Sequence, residues 1–401
     1  MSAQHPLPRA LPGGRRRRAG WALALGLPLL AGVAGVVSGM APATRAEAPP
    51  LEPLAAPAGQ GLDVEQATPQ QLPPITLSAT GDVIMGATPN MLPTNGGLGF
   101  FDDVAPALAS DLVMGNLEQA LTDDTGIAKC GQNVTDCFQF RLPPSYAYRL
   151  ADAGFDLMTL ANNHTGDFGA PGYANTKASL AAAGIDYVGD RDQIAVTDVS
   201  GVKVAVIGFS PYPMHNQVTE IQRGQSLVRM ADRLADVVVI QAQMGAEGAD
   251  EVHTPYGNEI FYSEDRGDVR AFSRAMIDAG ADLVVGHSPH VLRGMEFYQG
   301  RLIAYSLGNF AGGGNTLSND GALGLGGILR VSLNPDGTFS TGQFVSTYMD
   351  GDGAPTLDYD QNSLALLRSL NASDFGDTGV AYDDYGNIAG PSATADYSAS
   401  G

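Results

Sequence analysis

Five apolar, β-branched runs of this 401-residue chain end in polar side chains that could bind a metal ion or a substrate. The run Leu283 to Val285, for example, reaches Gly286 and is followed at once by His287 and His290. Runs of this length predict buried strands, and parallel strands bring their carboxyl ends to one edge of a sheet, where α/β proteins form binding sites. If these strands are mostly parallel, the five polar groups converge. They are Asp82, Asn116 with Glu118, Asn163 with His164, Gln243, and His287 with His290.

Each polar group has a second interpretation. Aspartate is common in turns, so Asp82 could be a turn residue as well as the first carboxylate of a site. The pair His287 and His290 could cap backbone groups of a turn or bind a metal ion. One such group alone is more often a turn than a ligand set. Five groups on successive strand ends favour a shared site.

The segments between these groups predict an α/β fold. We expect helices at 144–153, 171–183 and 267–279, since each is followed by a glycine suited to a helix C-terminus. Two hairpins are expected, one turning at Ser200-Gly201 and the other at Gln299-Gly300-Arg301. Further strands at 326–333 and 338–349 complete the sheet.

The charge of the chain excludes one class of partner. The formal net charge is −21 at pH 7, and binding to nucleic acid needs Lys and Arg to neutralise phosphates. We therefore expect no nucleic-acid partner. An acidic surface also repels other polyanions unless a local basic pocket overrides it.

The two ends of the chain differ from its centre. Arg15 to Arg18 precede an apolar run from Trp21 to about Met40 and then Ala41-Pro42-Ala43, which is the layout of an export signal. The run is also long enough for an uncleaved membrane anchor. We therefore divide the chain into an export signal or membrane anchor (1–43), a flexible Pro-, Ala- and Gln-rich linker (44–73), one domain (74–350) and a low-complexity, largely disordered tail (351–401).

Two cysteines, Cys130 and Cys137, lie seven positions apart in a polar loop. In an exported protein this spacing predicts a local disulfide. It does not fit a CxxC redox or zinc motif.

Six ordered motifs carry a family resemblance: GDVIMG (81–86), GNLEQAL (115–121), LANNHTGDFG (160–169), VIQAQMGAEG (239–248), GHSPHV (286–291) and SLGNF (306–310). In order and spacing the chain resembles the CapA-type capsule or poly-γ-glutamate synthesis proteins, within the calcineurin-like metallophosphoesterase superfamily. The similarity covers about Ile75 to Met349. It implies a two-sheet β-sandwich flanked by helices, in four αββα layers, with a dinuclear metal site at the strand ends.

The resemblance also implies roles for single residues. Asp82 and Glu118 resemble metal-binding carboxylates, and Asn163 resembles an amide ligand of the second metal. His164 resembles the histidine that protonates a leaving group. His287, His290 and Gln243 complete the expected metal ligands, and the expected substrate contacts are Asn116, Arg293, Asn309 and His253.

The chain departs from the superfamily pattern at two positions. Ile84 stands where a histidine is usual, as in other CapA-type members, and Gln243 stands where the strand loop usually carries a histidine. Glutamine offers a carbonyl oxygen, a weaker and harder ligand than imidazole. His253, ten residues further on, could supply the missing nitrogen or could be an ordinary loop residue.

Three functions remain open. The first is a hydrolase with two divalent cations, for which oxygen-rich ligands favour Mn or Mg over Zn. The second is a non-catalytic subunit that binds an anionic envelope polymer, with a pocket around Arg293, Arg141 and Arg149 for a chain end, or that binds membrane synthase subunits. The third is an envelope phosphoesterase or other hydrolase unrelated to polyglutamate. All three place the protein outside the cytoplasm or on the outer side of a membrane anchor.

Overall fold

The computed structural model describes residues 72–131 and 137–391. The export signal or anchor predicted for 1–43 lies outside the described residues, as does all but the end of the linker predicted for 44–73. None of the described helices is long and apolar enough to cross a membrane.

The described chain has strands and helices in alternation up to residue 287, followed mainly by hairpins. The strands are β1 (Ile75–Ile84), β2 (Leu112–Leu117), β3 (Ala120–Leu121), β4 (Arg141–Leu142), β5 (Leu157–Thr159), β6 (Asp186–Val188), β7 (Ala195–Val199), β8 (Val202–Ser210), β9 (Asn216–Gln217), β10 (Val237–Gln243), β11 (Ile260–Phe261), β12 (Glu264–Asp265), β13 (Leu283–His287), β14 (Leu292–Tyr298), β15 (Arg301–Leu307), β16 (Asn309–Gly312), β17 (Leu325–Leu333), β18 (Phe339–Met349) and β19 (Pro355–Leu357). The helices are α1 (Ala105–Leu108), α2 (Ala147–Asp152), α3 (Gly169–Ala182), α4 (Ile221–Asp232), α5 (Val269–Asp278) and α6 (Asn362–Phe375).

Two large sheets form the scaffold. The first has the order β19-β18-β17-β1-β2-β5-β6, with β16 paired to the end of β1, and its strands β1, β2, β5 and β6 are parallel. The second has the order β14-β15-β13-β10-β8-β7, with β9 on β8, and its strands β8, β10, β13 and β15 are parallel. Each sheet therefore has a parallel centre whose carboxyl ends open on one side.

The sheets pack face to face because their strands alternate between two apolar surfaces. In β10, Val237 and Val239 belong to the core between the sheets, whereas Val238 and Ile240 pack with the residues of α4 and α5. In β2, Val113 packs with the residues of α1, α2 and α3 on the outer side of the first sheet. The layers are helix, sheet, sheet, helix, which confirms the predicted fold class.

Most predicted elements are present with small shifts of their bounds. The three predicted helices correspond to α2, α3 and α5, and the two predicted hairpins are β7–β8 and β14–β15. The strands predicted at 326–333 and 338–349 are β17 and β18. Helix α4 is absent from the prediction, although Leu227, Val228 and Ala231 give it a buried face.

The C-terminal region corrects a prediction. A largely disordered tail was expected for 351–401, but the structure forms β19 and the 14-residue helix α6 there. Leu364 and Leu367 of α6 belong to the core between the sheets, as do Val380 and Ile388 further along. The apolar spacing of three residues is helical, but the surrounding Asp, Ser, Gly and Tyr residues obscure it. The expectation of disorder is therefore wrong for residues 355–388.

Candidate metal centre at the strand ends

The polar ends of strands from both sheets meet in one buried cluster. Gln243, at the end of β10, donates from Nε2 to Asn163 Oδ1 at 2.9 Å and lies 3.4 Å from Glu118 Oε1. Asp82, near the end of β1, has Oδ1 3.6 Å from His287 Nδ1 at the end of β13. The groups that the sequence predicts to converge are therefore brought together. They meet across the mouth of the sandwich, with each sheet supplying part of the cluster.

Two glycines allow the backbones to approach closely just before the cluster. A Cβ on Gly81 would lie 1.9 Å from the carbonyl oxygen of Gly308, and one on Gly286 would lie 2.0 Å from a carbonyl oxygen of β15. No side chain fits at such distances, so both positions require glycine. These contacts hold the backbone immediately before Asp82 and His287 in place.

The Asp82 carboxylate is fully buried and contacts three different groups. Its Oδ1 accepts from Asn116 Nδ2 at 2.8 Å, and its Oδ2 accepts from the backbone N–H of Ser288 at 3.3 Å. Its Oδ2 also lies 3.1 Å from His290 Nδ1. The side chain is thus fixed from both sheets.

The two histidines of the closing motif occupy different environments. His287 Nε2 lies 3.2 Å from Gln241 Oε1. His290 has a left-handed backbone (φ +59°), and its Nδ1 lies 2.9 Å from Asn309 Oδ1. On the other side of the ring, His290 Nε2 is 3.9 Å from Glu118 Oε1 and 3.8 Å from Glu247 Oε2. His290 therefore lies among carboxylates, and His287 lies in a less charged position.

The pKa values of the cluster follow this difference. Burial lowers the pKa of His287 to about 4, against the opposing charge of Asp82. Burial also acts to lower the pKa of His290, but the carboxylates of Glu118, Asp82 and Glu247 outweigh it and raise that pKa to about 10. Burial raises the pKa of Glu118 well above its ordinary value. Burial also acts to raise the pKa of Asp82, but the hydrogen bond with His290 and the charge of that ring outweigh burial and lower this pKa.

His164 lies beside the cluster, next in the chain to Asn163. Its Nδ1 is 2.7 Å from Asp167 Oδ2, and the same carboxylate oxygen accepts from the backbone N–H of Phe140 at 2.8 Å. Burial lowers the pKa of His164, while the contact with Asp167 opposes this shift. Because Nδ1 is engaged by Asp167, Nε2 is the ring atom through which His164 can exchange a proton with a substrate.

The donor atoms of the cluster fit a metal ion. Ligand atoms from Asp82, Glu118 and His290 lie within 4.8 Å of one another. Among the described residues, Glu118 Oε2, Gln243 Oε1 and His287 Nδ1 are buried and have no hydrogen-bond partner. Buried polar atoms are normally paired, and each unpaired one costs about 1–3 kcal/mol. A divalent cation would satisfy carboxylate and imidazole atoms of this kind.

Residues 76–313, more than half of the chain, match the family of the bacterial capsule synthesis protein PGA_cap. The chain belongs to this family. The capsule biosynthesis protein CapA of Bacillus anthracis is 32% identical over 66% of this chain, and the alignment spans 65% of that protein. The PGA biosynthesis protein CapA of Bacillus subtilis is 30% identical over 74% of this chain and 77% of its own length.

Two solved structures align with much of this PGA_cap chain at low similarity. A 5'-nucleotidase precursor from Thermus thermophilus is 15% identical, with a TM-score of 0.40 over 75% of this chain and 58% of its own. The purple acid phosphatase PPD1 of yellow lupin is 12% identical, with a TM-score of 0.37 over 72% and 55%.

Two residues that are expected to contact substrate, Asn116 and Asn309, hold other side chains in this structure. Asn116 is fully buried; it donates to Asp82 and accepts from Asn162 Nδ2 at 2.9 Å. Asn309 is 1% exposed; its Oδ1 contacts His290, and its Nδ2 donates to a backbone carbonyl at 3.0 Å. With both ends of each amide engaged, these side chains orient members of the cluster: Asn116 holds Asp82, and Asn309 holds His290.

The other two residues predicted to contact substrate are also paired within the protein. Arg293 is fully buried, and its guanidinium binds both oxygens of Glu259 at 2.8 Å. The side chain of His253 is 64% exposed, and its Nδ1 lies 2.8 Å from Asp374 Oδ1 of α6. His253 therefore does not provide a nitrogen in place of Gln243. Nor do the other arginines form a pocket with Arg293: Arg141 pairs with Asp124 at 3.5 Å and Arg149 with Asp152 at 3.4 Å.

Two residues of the site are not among those predicted from the sequence. Glu247 faces His290, and Asp167 holds His164. Both lie inside motifs already quoted, VIQAQMGAEG and LANNHTGDFG, four positions after Gln243 and three after His164. A carboxylate three positions from a histidine in a turn is the signal that could have identified Asp167.

The predicted disulfide is formed between Cys130 and Cys137. Lys129 directly precedes Cys130 in the chain, and its backbone N–H donates to the carbonyl oxygen of Asp167 at 2.8 Å. The Lys129 ammonium lies 3.2 Å from Asp167 Oδ1 and 3.3 Å from the carbonyl oxygen of Asn163, with 38% of its side chain exposed. A solvent-accessible cation therefore stands beside the His164–Asp167 pair.

Proposed function

We propose that this chain is an exported protein of capsule or poly-γ-glutamate biosynthesis with a cation-dependent hydrolase site at its strand ends. The observation that carries the proposal is the set formed by Asp82 and Glu118, both buried, and the partly buried His290, whose ligand atoms lie within 4.8 Å of one another. The names of the two Bacillus relatives, which refer to capsule and PGA biosynthesis, support the assignment to polymer synthesis.

A divalent cation held by Asp82, Glu118 and His290, with Asn163, Gln243 and His287 beside them, would polarise a phosphoryl or carbonyl oxygen and lower the pKa of water. Asn116 and the backbone of Ser288 hold the Asp82 carboxylate in a fixed position. His164, oriented by Asp167, would donate a proton from Nε2 to the leaving oxygen.

Lys129 supports an anionic substrate. The chain carries a net charge of −21, so an anionic polymer needs a local cation to approach the site. The ammonium of Lys129 is exposed beside Asn163 and Asp167. It would receive a phosphate or carboxylate group next to His164.

The first support for export comes from the N-terminal sequence, which lies outside the described residues. Arg15 to Arg18, the apolar run after them and Ala41-Pro42-Ala43 form the layout of an export signal or anchor. A disulfide is consistent with an oxidising compartment outside the cytoplasm.

Metal analysis and hydrolysis assays of the purified full-length protein test the proposal. We expect bound Mn, Mg, Fe or Zn that is lost in Asp82→Ala, and cation-dependent cleavage of p-nitrophenyl phosphate or of poly-γ-glutamate oligomers. His164→Ala should lower turnover by about 10²–10⁴-fold without removing the metal, and His253→Ala, which changes an exposed histidine paired with α6, is the matched control. Wild-type protein without bound metal or cleavage of either substrate would contradict the proposal.

A second function, polymer binding without catalysis, is favoured by one observation. Gln243 directs Nε2 towards Asn163 Oδ1 and Glu118 Oε1, so an amide N–H, which cannot bind a metal, occupies part of the cluster. Retained binding of poly-γ-glutamate by metal-free protein would support this function. Loss of that binding in Lys129→Ala would locate the polymer beside the cluster.

A further inference from the structure

We infer that Glu247 is an additional cation ligand of the cluster and that Arg266 is the positioning residue that holds it there. The inference deepens the proposed function and rests on it only for the presence of a cation. The ligand it concerns is a hard divalent cation such as Mn²⁺, because a further carboxylate makes the donor set richer in oxygen.

The Glu247 carboxylate has one oxygen engaged and one directed at the cluster. Its Oε1 lies 2.6 Å from the Arg266 guanidinium and 3.4 Å from Ser288 Oγ. Its Oε2 lies 3.8 Å from His290 Nε2, beyond hydrogen-bond distance. The side chain is only 14% exposed. Oε2 therefore faces the same ring atom of His290 that Glu118 approaches from the other sheet.

Arg266 is held in place independently of the cluster. Its backbone N–H donates to the carbonyl oxygen of Glu259 at 2.8 Å, and its carbonyl accepts from the backbone N–H of Gly245 at 3.1 Å. Its guanidinium also pairs with Glu264 at 3.0 Å and lies over the ring of Phe261, 5.1 Å from the centroid. The arginine side chain is 3% exposed. A rigid, planar donor group of this kind fixes one carboxylate oxygen and leaves the second in a defined direction.

The composition of the cluster favours a ligand over a simple ion-pair partner. Three carboxylates, those of Asp82, Glu118 and Glu247, surround one imidazole ring within 3.1–3.9 Å. Glu118 Oε2 and Gln243 Oε1 are buried without hydrogen-bond partners among the described residues. An ion pair with Arg266 would account for Glu247 Oε1 alone. A protonated His290 would attract Glu247 Oε2 but would leave Glu118 Oε2 and Gln243 Oε1 unpaired, whereas a cation shared with Asp82 and Glu118 would account for the direction of Glu247 Oε2 and for these oxygens.

The test is calorimetric titration of EDTA-treated full-length protein with Mn²⁺ and with Zn²⁺. Glu247→Gln should weaken Mn²⁺ binding by about tenfold or more, and Zn²⁺ binding by a smaller factor. Glu264→Gln is the matched control, since it removes the other carboxylate of Arg266 and does not face the cluster. We expect this control to bind both cations as the wild type does.

Each other outcome overturns the inference. Wild-type affinity in Glu247→Gln would show that Glu247 is only an ion-pair partner, and an equal loss in Glu264→Gln would show that the effect passes through Arg266. Should Glu247→Gln fail to fold, Glu247→Asp is tested instead, since it withdraws the carboxylate by one methylene; unchanged Mn²⁺ affinity there would contradict a ligand role. Wild-type protein that binds neither cation would refute the proposed metal centre itself, which distinguishes that failure from a failure of Glu247 alone.

Discussion

Two groups of buried charged side chains differ in how completely they are paired. Arg293 donates to both oxygens of Glu259 at 2.8 Å, and it also donates from Nε to the backbone carbonyl of Glu251 and from Nη2 to that of Ala246. In the strand-end cluster, by contrast, Asp82 and Glu118 both lie beside His290, and Glu118 Oε2 has no hydrogen-bond partner among the described residues.

The difference shows what identifies a site in this protein. Burial is the same in both groups, since Arg293, Asp82 and Glu118 are all 0% exposed. A charge matched by an opposite charge and hydrogen bonds is a structural element. Carboxylates that repel one another and leave oxygens unpaired need a further partner, and a divalent cation would provide one. How completely a buried charge is paired therefore separates structural residues from site residues. This distinction can be tested by changing one charged side chain at a time.

Arg293→Ala is expected to have the largest effect on stability. The variant leaves the buried Glu259 carboxylate without its guanidinium partner, so the free energy of unfolding should fall by about 3–5 kcal/mol. Urea denaturation followed by circular dichroism measures the change. Arg149→Ala is the control, since its pair with Asp152 is partly exposed and should contribute less than about 1 kcal/mol. A small effect would contradict the assignment of Arg293 to the structural, fully paired group.

Glu118→Gln is expected to separate stability from cation binding. Burial raises the pKa of Glu118 in the folded state, so its favourable contribution to stability is present at low pH and lost as the pH rises through that pKa. Because Glu118 Oε2 has no hydrogen-bond partner among the described residues, the variant without cation should unfold with a free energy no more than about 1 kcal/mol below that of the wild type. Mn²⁺ at about 100 times its Kd should stabilise the wild type by about 2.7 kcal/mol and leave the variant unchanged.

Paired denaturation curves with EDTA and with Mn²⁺ provide the measurement for Glu118. Equal stabilisation of both proteins by Mn²⁺ would place the cation elsewhere. A large loss of stability in EDTA would show that the cluster is a matched network like that of Arg293.

Asp282 is intermediate between the two groups. It accepts from the backbone N–H of Val238 at 2.8 Å and lies 3.3 Å from Arg301, yet burial raises its pKa from 3.8 to about 6. The folded protein thus binds a proton more tightly than the unfolded chain, and the stability from Asp282 declines as the pH rises from about 4 to 6. Relative to Asp282→Asn, the wild type should lose about 2 kcal/mol over this range.

The pH series for Asp282 has a control of opposite sign. Hydrogen bonds from Thr76 lower the pKa of Asp111, so its contribution is lost as the pH falls instead, and Asp111→Asn should not reproduce the effect. A wild type that gains stability relative to Asp282→Asn between pH 4 and 6 would contradict the prediction.

Much of the scaffold could be predicted because its signals are local. The apolar runs, the Ser200-Gly201 turn and the strand-end polar residues can each be recognised within a few positions of sequence. Helix α6 was missed because its apolar residues, such as Leu364 and Leu367, find their partners only once the two sheets have packed.

The sequence could predict which residues form the site, but it could not predict the partner of each buried or charged side chain. The convergence of Asp82, Glu118 and Gln243 follows from strands that end together. The partner of Arg293 lies 34 positions away in a hairpin, and that of His253 lies 121 positions away on α6. No local pattern links such pairs, so both residues were assigned to substrate.

His253→Ala is expected to have the smallest effect and gives the sharpest negative control for the cluster. Its side chain is 64% exposed and pairs with Asp374 at 2.8 Å, and exposed pairs of this kind contribute less than about 1 kcal/mol. Mn²⁺ affinity should be unchanged, whereas His290→Ala, which removes a ring lying between Asp82 and Glu118, should lose about tenfold or more. Calorimetry on both variants makes the comparison. A comparable loss of affinity in His253→Ala would mean that the loop and α6 rearrange to bring His253 to the cation, and pairing in this structure would then no longer separate site from scaffold.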